Sequence, residues 1–131
     1  MPLVYSLIES PNHPDFSRLY RRLGLDHLCL ASSRKAISEL KKRPPDFLVA
    51  EFFYGYANNY AGVNLSNLDV LLHSLRKYAP NAKVILLAGK DDLPHMGKLQ
   101  ALFDIDSVLP QPVGEAAMAR AMSTAERAPD A

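Results

Sequence analysis

The residues able to ionise, attack or coordinate are thinly spread in this chain, and what they could do is correspondingly limited. His13, His27, His73 and His95 show no paired ligand spacing, which argues against a metal site. Cys29 is the only cysteine. It excludes an internal disulfide and a cysteine-based zinc site, fits a reducing compartment, and lies in an apolar run where it reads as inert core. No nucleophile elbow, P-loop or dinucleotide fingerprint is present. One carboxylate stands out by position: Glu51 closes the apolar run Asp46-Phe-Leu-Val-Ala-Glu51. Just beyond it, Phe52, Phe53, Tyr54, Tyr56 and Tyr60 crowd together among Gly55, Asn58, Asn59 and Gly62. Tyr54, Tyr56 and Tyr60 either cover a long loop or form an amphipathic contact surface; the second is the expectation, because aromatics are enriched where interfaces bury area.

The elements that must position these residues follow from composition and periodicity. A length of 131 residues with 48% apolar and 22% charged side chains is one globular domain, expected over residues 1–127 with a short tail at 128–131. A net charge of +1 is far from a nucleic-acid binder's excess, so no direct nucleic-acid partner is expected. Charge is nonetheless uneven: residues 1–45 carry +4 and the remainder −3, which puts a basic surface on the first two helices. No apolar run approaches the ~20 residues of a membrane span, and no basic segment precedes an apolar one as in a signal peptide. A cytoplasmic protein without membrane contact is expected.

Short apolar runs at Leu3 to Ile8, His27 to Ala31, Asp46 to Phe53, Lys83 to Leu87 and Ser107 to Leu109 read as buried strands. Amphipathic patterns alternate with them. Phe16, Leu19, Tyr20 and Leu23 share one helical face ended by Gly24; Ser32 or Ser33 caps a helix burying Ala36, Ile37 and Leu40, halted by Pro44-Pro45. Ser66 to Asp69 resembles a capping box ahead of Leu68, Leu71, Leu72 and Leu75; Pro94 to Phe103 carries Met96, Leu99, Leu102 and Phe103; an alanine-rich helix runs from Val113 to about Arg127. Five strands alternating with five helices predict an α/β, flavodoxin-like, doubly wound parallel sheet of order 2-1-3-4-5 with helices on both faces. Ligand sites in such sheets lie at the carboxyl ends of strands 1 and 3, where the winding reverses.

Three segments in this order and spacing, Asp46–Glu51, Lys83-Val-Ile-Leu-Leu-Ala-Gly-Lys-Asp-Asp92 and Ser107-Val-Leu-Pro-Gln-Pro112, resemble the receiver domain of bacterial two-component response regulators. The resemblance runs from Leu3 to about Met122. It implies a phosphorylatable Asp ending strand 3, an acidic pair after strand 1, Ser or Thr after strand 4, an aromatic in strand 5 and a Lys before the final Pro. The corresponding positions hold Glu51, Ala88, Val108 and Gln111. For the acidic pair, a gap-free count points to Leu7 and Ile8, and a strand longer by two residues to Glu9 and Ser10; neither supplies two carboxylates.

These departures act in one direction. Magnesium draws on one or two carboxylates plus waters and phosphate oxygens, so a site with Glu51 and at most Glu9 is a poor host. Glu51 is one methylene longer than Asp, and a misplacement of ~1 Å can cost about a hundredfold in rate. Ala88 cannot donate to a phosphoryl oxygen, and Gln111 brings no positive charge. Gln111 is expected to be an ordinary exposed strand-end residue; the other reading is an amide donor to Glu51. Glu51 is either a fixed carboxylate that mimics the phosphorylated state or a polar strand end beside solvent. The expectation is a non-catalytic, phosphorylation-incompetent pseudo-receiver that binds a signalling protein or a second copy, with no cofactor. The alternative is a flavin- or small-molecule-binding domain at the same switch point. Two contact surfaces compete: Tyr54 to Tyr60, and the face of the fourth helix, fifth strand and last helix, led by Met96, Leu99, Met118 and Met122, which are either core or adaptable surface.

Overall fold

The computed structural model describes residues 2–7, 15–30, 32–53 and 68–127, with side chains up to residue 122. Five strands, β1 (Leu3–Leu7), β2 (Asp26–Leu30), β3 (Phe47–Phe52), β4 (Lys83–Ala88) and β5 (Ser107–Pro110), form one sheet in the order β2-β1-β3-β4-β5. All neighbouring pairs are parallel. The expected flavodoxin-like architecture is therefore the observed one. Its helices are α1 (Ser17–Arg22), α2 (Ser33–Leu40), α3 (Asp69–Tyr78), α4 (Met96–Gln100) and α5 (Glu115–Arg127).

Alternation along the strands divides the core in two. Leu3, Tyr5, Leu7, Leu48, Ala50, Phe52, Val84, Leu86 and Ala88 face α2, α3 and α4. Val4, Phe47, Val49, Ile85 and Leu87 face α1 and α5. The inner strands are buried on both faces, which is why their sequences are apolar without alternation. Each fully buried Leu, Ile or Phe contributes about 1.5–3 kcal/mol over its exposed state. Met96, Leu99, Met118 and Met122 are all buried, so these soft side chains fill core and do not form a contact face.

The amino edge of the sheet is closed by a device used twice. Asp46 accepts the Leu3 N–H on its carboxylate at 2.8 Å, while its own N–H donates to the Leu3 carbonyl at 2.8 Å. Asp106 does the same with Val84, at 2.7 and 2.9 Å. Each clasp satisfies a strand-start N–H that the parallel ladder leaves over. Nearby, the buried Tyr5 donates its hydroxyl to the Arg43 carbonyl just beyond α2. Burial pushes this phenol up to about 12; the Glu39 charge adds to the rise and Arg43 opposes it.

Local signals in the sequence account for the helix ends. Ser32, rather than Ser33, caps α2, its hydroxyl accepting from the Lys35 N–H at 3.2 Å. Gly24 ends the α1 turn at φ 77, a left-handed conformation that favours glycine. α3 is described from Asp69, with Leu68 as its N-terminal flank and no side-chain cap; Ser66 of the expected box lies outside the described residues.

Three expectations are corrected. The fourth helix is not continuous over Pro94 to Phe103: a 3-10 turn (Leu93–His95) leads into α4, which stops at Gln100. Leu102 consequently leaves the helical stripe and is 56% exposed. Leu23, just past α1, is likewise exposed instead of completing that helix's buried face. Cys29 is exposed rather than core, because β2 is an edge strand and, among the described residues, only the short α1 covers that face. Its Sγ lies 3.4 Å from His27 Nε2, and His27 meets Tyr20 edge-on at 4.7 Å between ring centroids. Partial burial, together with the Asp15 charge, raises the Cys29 thiol pKa, so it is held as thiol and not as thiolate.

Candidate functional site

The carboxyl end of β3 places one carboxylate in the interior. Glu51 is level with Leu87 of β4 and shares the α1/α5-facing side with Val49 by strand alternation. It is 1% exposed, which removes the reading of a strand end beside solvent. A carboxylate in such a place needs hydrogen-bond donors, and Gln111 is one of its contacts: Gln111 Nε2 donates to Glu51 Oε2 at 3.1 Å.

A backbone hydrogen bond places Gln111 near Glu51. The Gln111 N–H donates to the Ala88 carbonyl at 2.8 Å, pinning the exit of β5 to the end of β4. Gly89 lies alongside the Gln111 side chain, and a Cβ built there would be in ordinary van der Waals contact with Gln111 Oε1 at 3.6 Å. The expected exposed strand end is corrected: Gln111 is the amide donor to Glu51.

The other positions named from the sequence do not all meet there. Ala88 is fully buried and packs on the opposite face, in the α2/α3/α4 core. Its methyl group brings no hydrogen-bond donor to the carboxyl end of the sheet. Val108 pairs with Leu86, three residues before Gln111, and packs half-buried on the same opposite side. Glu9, Tyr54, Tyr56 and Tyr60 lie outside the described residues. Among the described residues, no group of three His, Cys, Asp or Glu side chains is placed to hold a metal ion, and no helix is long and apolar enough to cross a membrane.

The basic residues expected on the first two helices are exposed, and several are paired. Arg22 meets Glu115 of α5 at 3.0 Å, Lys42 meets Glu39 at 3.9 Å, and Arg43 meets Asp26 at 3.6 Å. A less obvious surface lies on α3. Val70 is 55% exposed, out of phase with the buried stripe of Leu68, Leu71, Leu72 and Leu75. That misplaced valine was the one sign of this surface in the sequence.

No protein-family model matches the sequence, and no curated protein matches it significantly. Solved structures do match in fold. The inactive form of the regulatory domain from the repressor of iron transport regulator aligns at TM-score 0.74 and 16% identity, over 98% of this chain and 97% of that one. A response regulator receiver domain protein from Clostridium thermocellum aligns at 0.69 and 16%, over 99% and 98%. The receiver domain of the Francisella response regulator 1452 aligns at 0.67 and 20%, over 98% and 99%. The chain therefore has the fold of a response-regulator receiver domain across almost its whole length.

Proposed function

We propose that this chain is a phosphorylation-incompetent pseudo-receiver, a non-catalytic domain that acts through protein–protein contact in bacterial signal transduction in the cytoplasm. The observation that carries this reading is the buried Glu51 carboxylate with the Gln111 amide on it at 3.1 Å. The receiver resemblance puts Glu51 at the phosphoacceptor position, Ala88 at the hydroxyl position, Val108 at the aromatic position and Gln111 at the lysine position. A nucleophile must reach its donor, and Glu51 is 1% exposed and already engaged. A neutral amide does not offset the charge a phosphoryl group would bring, as a lysine would. The same pair gives the domain one fixed arrangement at its carboxyl end in place of two switchable ones. Tyr54, Tyr56 and Tyr60 remain proposed contact residues. The flavin or small-molecule alternative is weakened by the same carboxylate, which would repel a phosphate placed at this switch point.

The deciding experiment incubates the full chain with a small acyl phosphate and magnesium and measures the intact mass. No adduct is expected. A stoichiometric phosphoryl adduct overturns the reading, and mapping it to Glu51 or to another residue would say which part failed.

A further inference from the structure

The geometry points to the outer face of α3, with the turn after α4, as a docking surface for an acidic protein segment that carries apolar side chains. It lies away from Glu51. This inference supplies a surface for the protein-contact reading above, and it holds whether or not Glu51 accepts a phosphoryl group.

Two concavities meet at Arg76. One is a groove of about 510 Å³ along α3, lined by Val70, His73, Ser74, Arg76 and Lys77. The other is a pit of about 50 Å³ at the start of β4, walled by Leu72, Leu75, Val84 and Phe103, with Asp104 at its rim. Val70 at 55% and Leu102 at 56% are the two most exposed large apolar side chains among the described residues, and they flank this region. The groove offers apolar contact along its length, and the pit has room for about one small apolar group.

The cations at the junction are already positioned. Arg76 Nη2 donates to the Leu102 carbonyl at 2.6 Å, and its guanidinium stacks 5.0 Å from the Phe103 ring centroid. His73 meets the same ring edge-on at 6.1 Å. Lys77 Nζ stands 5.4 Å over the Tyr78 ring. No ion pair joins Arg76 or Lys77 to an acid among the described residues. Two cations held in this way, with no carboxylate partner among the described residues, lose little conformational freedom when they take one from outside. An arginine fixed beside exposed apolar groups is a usual makeup of an interface hot spot.

The occupant follows from that chemistry. Carboxylates complement Arg76 and Lys77, and apolar side chains complement Val70, Leu102 and the pit. A nucleic-acid backbone would use only the charges and would leave Val70, Leu102 and the pit without apolar partners.

The test uses the full chain and a short fluorescein-labelled peptide of Glu and Leu residues. Its controls are a counterpart with Gln for Glu, a counterpart with Gly for Leu, and an oligothymidylate. Anisotropy should show binding of the Glu/Leu peptide, with both counterparts weaker by about tenfold or more, and R76Q weakening it by about tenfold. R120Q, a remote exposed cation on α5, should leave affinity unchanged. Backbone amide shifts should centre on α3 and on 102–104. Because R76Q also removes the Leu102 contact, K77Q and V70S are measured beside it, each checked for a cooperative melt, and both should weaken binding. Absence of shifts on α3 overturns the inference, as does equal affinity for the Gly counterpart or the oligothymidylate. Self-association abolished by V70S and not competed by peptide also overturns it, by giving the face to a second copy. The phosphoryl-transfer result bears on none of these outcomes.

Discussion

The two edges of the sheet both use carboxylates, and they use them differently. At the amino edge, Asp46 and Asp106 stand just before a strand and hold the starting N–H of its neighbour, Leu3 or Val84. At the carboxyl edge, Glu51 stands inside its strand, fully buried, and takes a donor from the Gln111 side chain. A backbone N–H is an obligatory donor whose loss is felt by the whole ladder, whereas a side-chain amide is replaceable. The amino edge is therefore tied through backbone groups, whereas the tie at the carboxyl edge, where the receiver resemblance places the chemistry, joins two side chains.

Breaking the clasps is the most severe test of that contrast. Asp46→Ala and Asp106→Ala each remove a charged acceptor from a strand-start N–H and should each cost about 2 kcal/mol in urea denaturation. They lie on different strand pairs, so the double variant should approach the sum, and Asp→Asn at either position should recover most of the loss. If the double variant costs no more than an ordinary surface substitution, the contrast fails.

A second tie near the amino edge titrates. The Tyr5 phenol is raised to about 12 by burial, so its native environment favours the protonated form. The stability this provides is fully present below the ordinary tyrosine value of about 10 and is lost as pH rises from there to about 12. Chemical denaturation across that window should show falling stability, with Tyr5→Phe flattening the fall. A phenol that ionises at its ordinary value in an absorbance titration would refute the burial argument.

The smallest effect belongs to the carboxyl edge. Gln111→Leu leaves Glu51 buried with one donor fewer and should cost about 1 kcal/mol. Combining it with Glu51→Met, which removes the carboxylate itself, should return most of that loss. A double variant less stable than Gln111→Leu would mean that the pair supports the scaffold after all, and would sharpen the contrast in the opposite sense.

Most of the architecture was legible because it is written in local patterns. The apolar runs around Val4, Val49 and Ile85, separated by amphipathic stretches such as Leu68 to Leu75, admit few arrangements besides a parallel sheet covered on both faces. The misreadings came where an element's place in the sheet overrides its sequence. Cys29 sits in a run as apolar as an inner strand's, yet β2 is an edge. Leu102 continues a helical spacing, yet α4 stops two residues earlier. The methionines Met96, Met118 and Met122 suit core and surface equally, and only packing chose between them.

By itself the sequence determined the order of strands and helices and a parallel sheet covered on both faces. The first follows from periodicity within a few residues, and the second from near-continuous apolar strands alternating with amphipathic helices. Tertiary structure decided that Glu51 is buried, that Gln111 reaches it across 60 residues of chain, and that Arg76 is held between Leu102 and Phe103. The reason is physical. A hydrogen bond between distant strand ends, or between a helix and a later turn, exists only once the crossovers have set the elements side by side, and no local pattern encodes that distance.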